Sequence, residues 1–297
     1  MKKFEGLGVA MITPFKSDRS VDFKALETIT NHIVEGGCDY LVVMGTTSEA
    51  ATLNNEEREA VTSYIKEVND GRTGIVLGIG GNNTQHIVDT IKHTDFEGID
   101  AILSVAPYYN KPGQKGLLIH FKEIATACPV PVILYNVPGR TSSNIDAETC
   151  LELAWSIDSI QGIKEASGDL SQIMKIIENK PENFELISGD DLTALPLISL
   201  GASGVISVLG NAFPSEWKQM IDLALASKVK KARNIHYKYT QLIDLIFTDG
   251  NPAGIKSVMN GLGLCQNYLR LPLTAVSRAT GARISSTLED LKLKELV

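Results

Sequence analysis

GVAMITPFKSDRS, residues 8–20, starts as a short apolar run and ends in a turn that contains no glycine. Short β-branched runs alternate with helical patterns along most of the chain, which leaves two parallel architectures, a doubly wound sheet and a (β/α)8 barrel. A doubly wound dinucleotide sheet is expected to place G-x-G-x-x-G directly after its first strand, so that the backbone can approach a pyrophosphate. TPFKSDRS lacks those glycines, GIGGNN at 78–83 has Asn83 where the pattern needs glycine, and no P-loop string occurs. The reading is therefore a (β/α)8 TIM barrel.

Eight strands are predicted: GVAMIT (8–13), YLVVMG (40–45), GIVLGIG (74–80), DAILSVA (100–106), VPVILYN (130–136), SIQGIKEA (159–166), FELISG (184–189) and GVISVLG (204–210). Most are continuous apolar runs, as parallel strands buried on both faces require. Helical stripes lie between them: Phe23, Leu26, Ile29 and Ile33; Val61, Tyr64, Ile65 and Val68; Leu117, Leu118, Phe121, Ile124 and Ala125. Asn54 followed by Glu57 reads as a capping pair. Residues 214–226, with Trp217, Met220, Ile221 and Leu225, read as the eighth helix. Strand patterns then stop. Val229, Ala232, Ile235, Tyr239, Leu242 and Ile246 predict a long helix, Ile255, Val258, Met259 and Leu262 a shorter one, and a last helical stretch follows Pro272. The expected organisation is a barrel over 1–226 and a C-terminal helical domain over 227–297.

Composition narrows the function classes. Among 297 residues, 43% are hydrophobic and 21% charged, an ordinary globular balance, and the net charge of −7 offers no basic field for nucleic acid. Cys38, Cys128, Cys150 and Cys265 form no Cys-x-x-Cys pair, and five scattered histidines form no His-Glu-x-x-His pattern, so neither a metal site nor a disulfide framework is expected. Lys2-Lys3 before GLGVAMITPF resembles a leader only faintly, since Glu5 interrupts it and no cleavage site follows. No apolar run approaches the ~20 residues of a membrane span. The expectation is a cytoplasmic enzyme with no membrane partner.

In a barrel the active face lies at the C-terminal strand ends, and the polar exceptions collect there: GTTSEA (45–50), PYYN (107–110), YNVPGRT (135–141), Lys164 and SGDD (188–191). A strand-end lysine commonly reaches water or pairs with a neighbour such as Glu165. The functional reading is a nucleophile, because a poorly hydrated mouth disfavours an ammonium and a neutral amine forms a Schiff base with a ketone or aldehyde. Tyr135 ends the neighbouring strand; its ring could be plain packing, or its phenol could shuttle the protons that imine chemistry needs. Thr46 and Tyr109 are candidate relay hydroxyls. Thr47, in a turn that also reads as ordinary strand-to-helix structure, can add a hydroxyl to backbone N–H groups suited to a carboxylate. Arg140 is either a solvated loop residue or, behind the rigid Pro138, a clamp for a second carboxylate.

GVAMITPF, GTTSEAATL, PYYNKP, YNVPGRT, GIKEASGDL, SGDD, GVISV and GNPAGIK follow one another over nearly the whole length. In these motifs the chain resembles the pyruvate-dependent class I aldolases of the N-acetylneuraminate lyase superfamily, and within it the dihydrodipicolinate synthase family. The resemblance implies that Lys164 is the Schiff-base lysine for pyruvate and that Tyr135, Thr46 and Tyr109 form a proton relay, Tyr109 reaching in from a neighbouring subunit. It implies that Thr47 holds the pyruvate carboxylate, Arg140 the carboxylate of the aldehyde, and Gly189 and Ile206 backbone contacts near pyruvate. The implied reaction condenses pyruvate with L-aspartate-4-semialdehyde and cyclises the product, in lysine and diaminopimelate biosynthesis, with no metal or organic cofactor and in a homotetramer built as a dimer of dimers. The alternatives are N-acetylneuraminate lyase or a 2-keto-3-deoxy sugar-acid aldolase, against which Arg140 favours an acidic aldehyde, and a non-catalytic keto-acid sensor. Two departures from the family pattern carry expectations. Ser48 stands where the family loop has glycine, which would shift the turn if that angle needs glycine. His86, Asn55 and Arg58 replace a glutamate and two histidines of lysine-inhibited relatives, while Asn82 and Tyr108 match, which implies weak or absent inhibition by L-lysine.

Overall fold

The eight apolar runs pair side by side in sequence order, and the last hydrogen-bonds back to the first to close a parallel barrel. The structure, a computed structural model, describes residues 4–295, with side chains through Leu291; Lys2 and Lys3 lie outside the described residues. The order is β1 (Gly6–Ala10), α1 (Phe23–Glu35), β2 (Tyr40–Val43), α2 (Asn55–Asn69), β3 (Gly74–Gly78), α3 (Thr84–His93), β4 (Ala101–Val105) and α4 (Gln114–Ala127). It continues with β5 (Val132–Asn136), the short α5 (Pro138–Thr141), α6 (Ala147–Ser156), β6 (Ile160–Glu165), α7 (Leu170–Asn179), β7 (Glu185–Ser188), α8 (Ala194–Leu200), β8 (Gly204–Ser207) and α9 (Pro214–Leu225). Three helices then follow: α10 (Val229–Thr248), α11 (Ala253–Gly261) and α12 (Arg278–Glu295).

Each strand is shorter than its apolar run, because the run continues past the ladder into the loop above it. The first strand also begins two residues before the expected Gly8. Leu7 N–H donates to Asp39 Oδ2 at 2.7 Å and Gly6 N–H to Ser203 O at 2.9 Å, which secures the early start. At the other end Ile12 N–H turns to Asn211 Oδ1, 3.1 Å, so Ile12 and Thr13 leave the sheet.

Strand alternation divides the apolar residues into two layers. Ala10, Tyr40, Val42, Val76, Leu103, Ile133, Ile187 and Ile206 fill the barrel interior, with Phe4 edge-on to Tyr40. Leu41, Val43, Leu134, Ile160, Ile163 and Leu186 point outward against the helices. Ile160 and Ile163 both face out although they are three residues apart. The cause is a bulge: Val132 pairs with Ile160 but Ile133 with Gly162, so Gln161 is an extra residue and β6 changes parity. Beyond the bulge Leu134 meets Ile163, and Tyr135 meets Lys164.

The helices bury the predicted stripes. Leu26, Ile29 and Ile33 of α1, Val61 and Ile65 of α2, and Leu117, Phe121 and Ile124 of α4 are all buried. Asn54 and Glu57 exchange the two bonds of a capping box, 2.8 and 3.1 Å. The C-terminal helices pack directly on α9: Trp217 stacks on His236 of α10 at 5.9 Å and meets Tyr239 edge-on at 6.2 Å. The last helix starts at Arg278, beyond Pro272, and no helix of the described residues is long and apolar enough to cross a membrane.

One packing residue sets an acid limit. His120 of α4 is buried, with Nδ1 2.8 Å from Thr84 Oγ1 and Nε2 without a partner among the described residues, and burial pulls its imidazole down to about 4. The unfolded chain therefore takes up this proton before the folded one does. The stability it contributes is complete above about pH 6.5 and is lost as pH falls toward about 4, at roughly 1.4 kcal/mol per pH unit. Urea midpoints should fall between about pH 7 and pH 4.5, and His120→Leu should remove about 2–3 kcal/mol of that slope.

Candidate active site

A cavity of about 320 Å³ opens at the C-terminal ends of the strands, lined by residues of seven of the eight strand-end regions and of the α10–α11 segment. Lys164 rises from the end of β6 at its base and is 6% exposed. Its Nζ lies 4.3 Å from the centre of the Tyr135 ring, over the ring face. The bulge produces this pairing, since an unbroken β6 would turn Lys164 to the helix side. Glu165 points the opposite way. Its carboxylate accepts from Ser167 N–H at 2.6 Å, Asn136 Nδ2 at 3.0 Å and Gln172 Nε2 at 3.2 Å, behind the barrel wall. Lys164 is thus separated from the carboxylate next to it in sequence.

Space beside the lysine comes from Gly189. A Cβ there would sit 2.7 Å from Ala166 Cβ and 3.2 Å from Lys164 Cε, so any side chain would crowd the amine. Thr46 and Thr47 form a one-turn 3-10 helix after β2. Thr47 is buried and its Oγ1 accepts from Asn251 Nδ2 at 2.9 Å, while Thr46 is exposed at the rim. Arg140, in α5, lines the rim and is exposed.

Ser48 does not disturb this turn. The left-handed residues are its neighbours, Met44 (φ 59°) and Glu49 (φ 55°), and Ser48 Oγ donates to Gly45 O at 2.7 Å. Glycine is required opposite, at Gly78, where a Cβ would meet Met44 O at 2.2 Å.

Two predicted site residues stand apart within this chain. Tyr109 is 87% exposed, holds a left-handed φ of 72° and does not line the cavity. Its loop is tied by Asn82 Nδ2 to Tyr108 O, 3.2 Å, and by Asn110 Nδ2 to Asn82 O, 3.0 Å. Ile206 is fully buried in the barrel interior, and Val208 is the residue from its segment that lines the cavity. His86 is exposed on α3, and Arg58 is committed to Ala50 O through Nε and Nη2, 3.1 and 2.7 Å.

Asp190, Asp244, Phe247 and Asn251 also line the cavity; the sequence motifs assigned none of them a role, although Asp190 lies in SGDD and Asn251 in GNPAGIK. Burial raises the Asp190 carboxyl above the usual range, and Asp244 adds to the effect. Asp244, Phe247 and Asn251 come from the C-terminal helical segment, where the one signal was Asn-Pro in GNPAGIK, which reads as a turn. Asp191, beside Asp190, is buried and caps the turn after β8, accepting from Ser207 Oγ, Val208 N–H and Leu209 N–H at 2.5, 2.9 and 3.0 Å. Among the described residues no group of three or more histidine, cysteine or carboxylate side chains is placed to hold a metal ion.

A second layer anchors the Thr46–Thr47 turn. The Glu49 carboxylate, buried, accepts from Lys256 Nζ at 2.5 Å and from Arg270 N–H at 2.9 Å. Lys256 is fully buried, donates to Tyr268 O at 2.9 Å and lies over the Phe15 ring. Arg270 grips Glu57 with both terminal nitrogens, 2.6 and 2.5 Å.

Known proteins are similar to this chain over its whole length. The 4-hydroxy-tetrahydrodipicolinate synthase of Flavobacterium psychrophilum is 51% identical over 296 residues, covering 100% of this chain and 99% of its own. The crystal structure of dihydrodipicolinate synthase from Aquifex aeolicus superposes with a TM-score of 0.94 at 39% identity, covering 98% of this chain and 99% of that one. The enzyme from Cyanidioschyzon merolae, solved with lysine bound, gives a TM-score of 0.95 at 36% identity, covering 99% and 100%. The sequence model of the dihydrodipicolinate synthetase family matches residues 3–291, and with identity of this extent the chain belongs to that family.

Proposed function

We propose that the protein condenses pyruvate with L-aspartate-4-semialdehyde through a Schiff base on Lys164 and so supplies the cyclic product named in its relatives, 4-hydroxy-tetrahydrodipicolinate. The observation that carries the reading is a buried lysine amine facing a tyrosine ring in a cavity that also holds a threonine hydroxyl and an arginine. Lys164 Nζ adds to the ketone carbon of pyruvate, the oxygen leaves as water, and the protonated imine draws electrons from the methyl group. Loss of a methyl proton gives an enamine, whose carbon attacks the semialdehyde carbonyl. That oxygen takes up a proton, and the amino group of the adduct closes the ring on the former ketone carbon, releasing the lysine.

Tyr135 moves the protons at these steps, with Thr46 and a Tyr109 supplied by a neighbouring subunit as its relay. The 87% exposure of Tyr109 suits that role, because a side chain outside its own cavity is free to enter another. The assembly is a homotetramer built as a dimer of dimers, which gives each Tyr109 a partner cavity. Thr47 holds the pyruvate carboxylate and Arg140 the carboxylate of the semialdehyde, with the backbone of Gly189 and Ile206 near the keto acid. Four free, buried cysteines suit the reducing cytoplasm as the place of action. Tyr135→Phe should lower kcat by about 10²–10⁴-fold while retaining the fold, measured in a coupled condensation assay with circular dichroism as control.

The test is reduction with borohydride in the presence of pyruvate, followed by digestion and mass spectrometry. The adduct is expected on the peptide that carries Lys164; its absence, or its location on another lysine, overturns the reading. Cleavage of N-acetylneuraminate without condensation of the semialdehyde would overturn the choice of aldehyde.

A further inference from the structure

Thr47 follows β2 and Asn251 lies between α10 and α11, yet they meet in the cavity wall, Asn251 Nδ2 donating to Thr47 Oγ1 at 2.9 Å. Both are more than nine-tenths buried, at 3% and 7% exposure. A threonine hydroxyl has one proton and two lone pairs. Asn251 occupies a lone pair, and among the described residues no acceptor takes the proton, so the proton is left to the cavity. The reverse orientation of the amide would consume that proton on Oδ1 and bury an NH2 group with both donors unmatched. The orientation in the structure leaves one unmatched acceptor, Asn251 Oδ1.

We propose that Asn251 is a positioning residue: it holds the Thr47 hydroxyl as an obligate donor, so that this wall of the cavity reads a carboxylate and rejects groups that must donate. The inference rests on Thr47 as the contact for the keto-acid carboxylate. It assigns a part of the substrate site to the C-terminal helical segment, whose loop reaches over the strand ends to set the direction of a single proton.

Asn251→Asp tests it, because aspartate has the same shape but only accepts. Thr47 then donates to the introduced carboxylate and turns lone pairs toward the substrate. The KM for pyruvate should rise about 10–100-fold, the scale of a hydrogen bond to a charged group, while the KM for the semialdehyde and kcat move less than about threefold. In a Thr47→Val background the same change should cost less than about threefold. An Asn251→Asp enzyme with KM for pyruvate within about threefold of the parent overturns the inference. So does a penalty of equal size in the Thr47→Val background, which would mean charge repulsion alone. If Asn251→Asp does not fold, Asn251→Ala decides by the same cycle: its pyruvate penalty must vanish without the Thr47 hydroxyl, and persistence overturns the proposal. A parent enzyme that traps no pyruvate with borohydride would overturn the reaction and this inference together; one that traps pyruvate while the variants are unaffected overturns the inference alone.

Discussion

Lys164→Ala eliminates the borohydride-trapped pyruvate adduct and lowers kcat/KM for condensation by about 10³-fold or more, the scale of losing a covalent nucleophile. The reason is geometric. The amine is buried against Tyr135 at the base of the cavity, and the neighbouring carboxylate of Glu165 is spent behind the barrel wall. Lys164→Arg should lose the adduct equally, since a guanidinium keeps the charge but supplies no free amine. Intact-mass measurement after reduction reads both variants. Persistence of one pyruvate adduct in Lys164→Ala would place the chemistry elsewhere.

The second large effect concerns stability. Lys256→Met leaves the Glu49 carboxylate buried without its cation, which costs about 3–5 kcal/mol, a large share of the roughly 5–15 kcal/mol that holds an ordinary domain together. Burial pulls the Lys256 ammonium below the usual lysine range and Glu49 opposes that shift, so the carboxylate sustains the charge of the amine. Pairing Lys256→Met with Glu49→Gln should recover part of the loss, because the second change removes the stranded carboxylate. Urea midpoints of the single and double variants measure this; equal midpoints for Lys256→Met and the parent would show that the pair contributes nothing. Since Glu49 is the left-handed residue that ends the Thr46–Thr47 turn, the single variant should also raise the KM for pyruvate.

Much of the candidate site was legible because polar residues stand out at the ends of apolar strands. Lys164, Tyr135, Thr47, Arg140 and Gly189 line or floor one cavity, and each belongs to a strand-end motif. Asp244 and Phe247 were not legible, and Asn251 stood in GNPAGIK without a role. They lie on segments whose local pattern is that of an ordinary amphipathic helix and a turn, and the packing of α10 on α8 and α9 carries them over the barrel mouth. Glu49 and Lys256 stand in the quoted GTTSEA and GNPAGIK, but their pairing was hidden, because a contact 207 residues apart leaves no local trace. Tyr109 shows the converse, a residue drawn from a strand-end motif whose side chain in this chain lies outside the cavity.

The sequence by itself determined the eight parallel strands, their order, the barrel and the helical ending, because periodicity, run length and the missing glycine turn are local properties that burial on both faces imposes. Only the tertiary structure decided which way Lys164 faces. Alternation through SIQGIKEA cannot reveal the extra residue at Gln161, since a bulge is set by pairing with the neighbouring strand, here β5. Gly162, whose Cβ would lie 2.8 Å from Glu185 O, allows the close approach at that point. One residue of slip turns the lysine from the helix layer into the barrel mouth, and the chemistry depends on that turn.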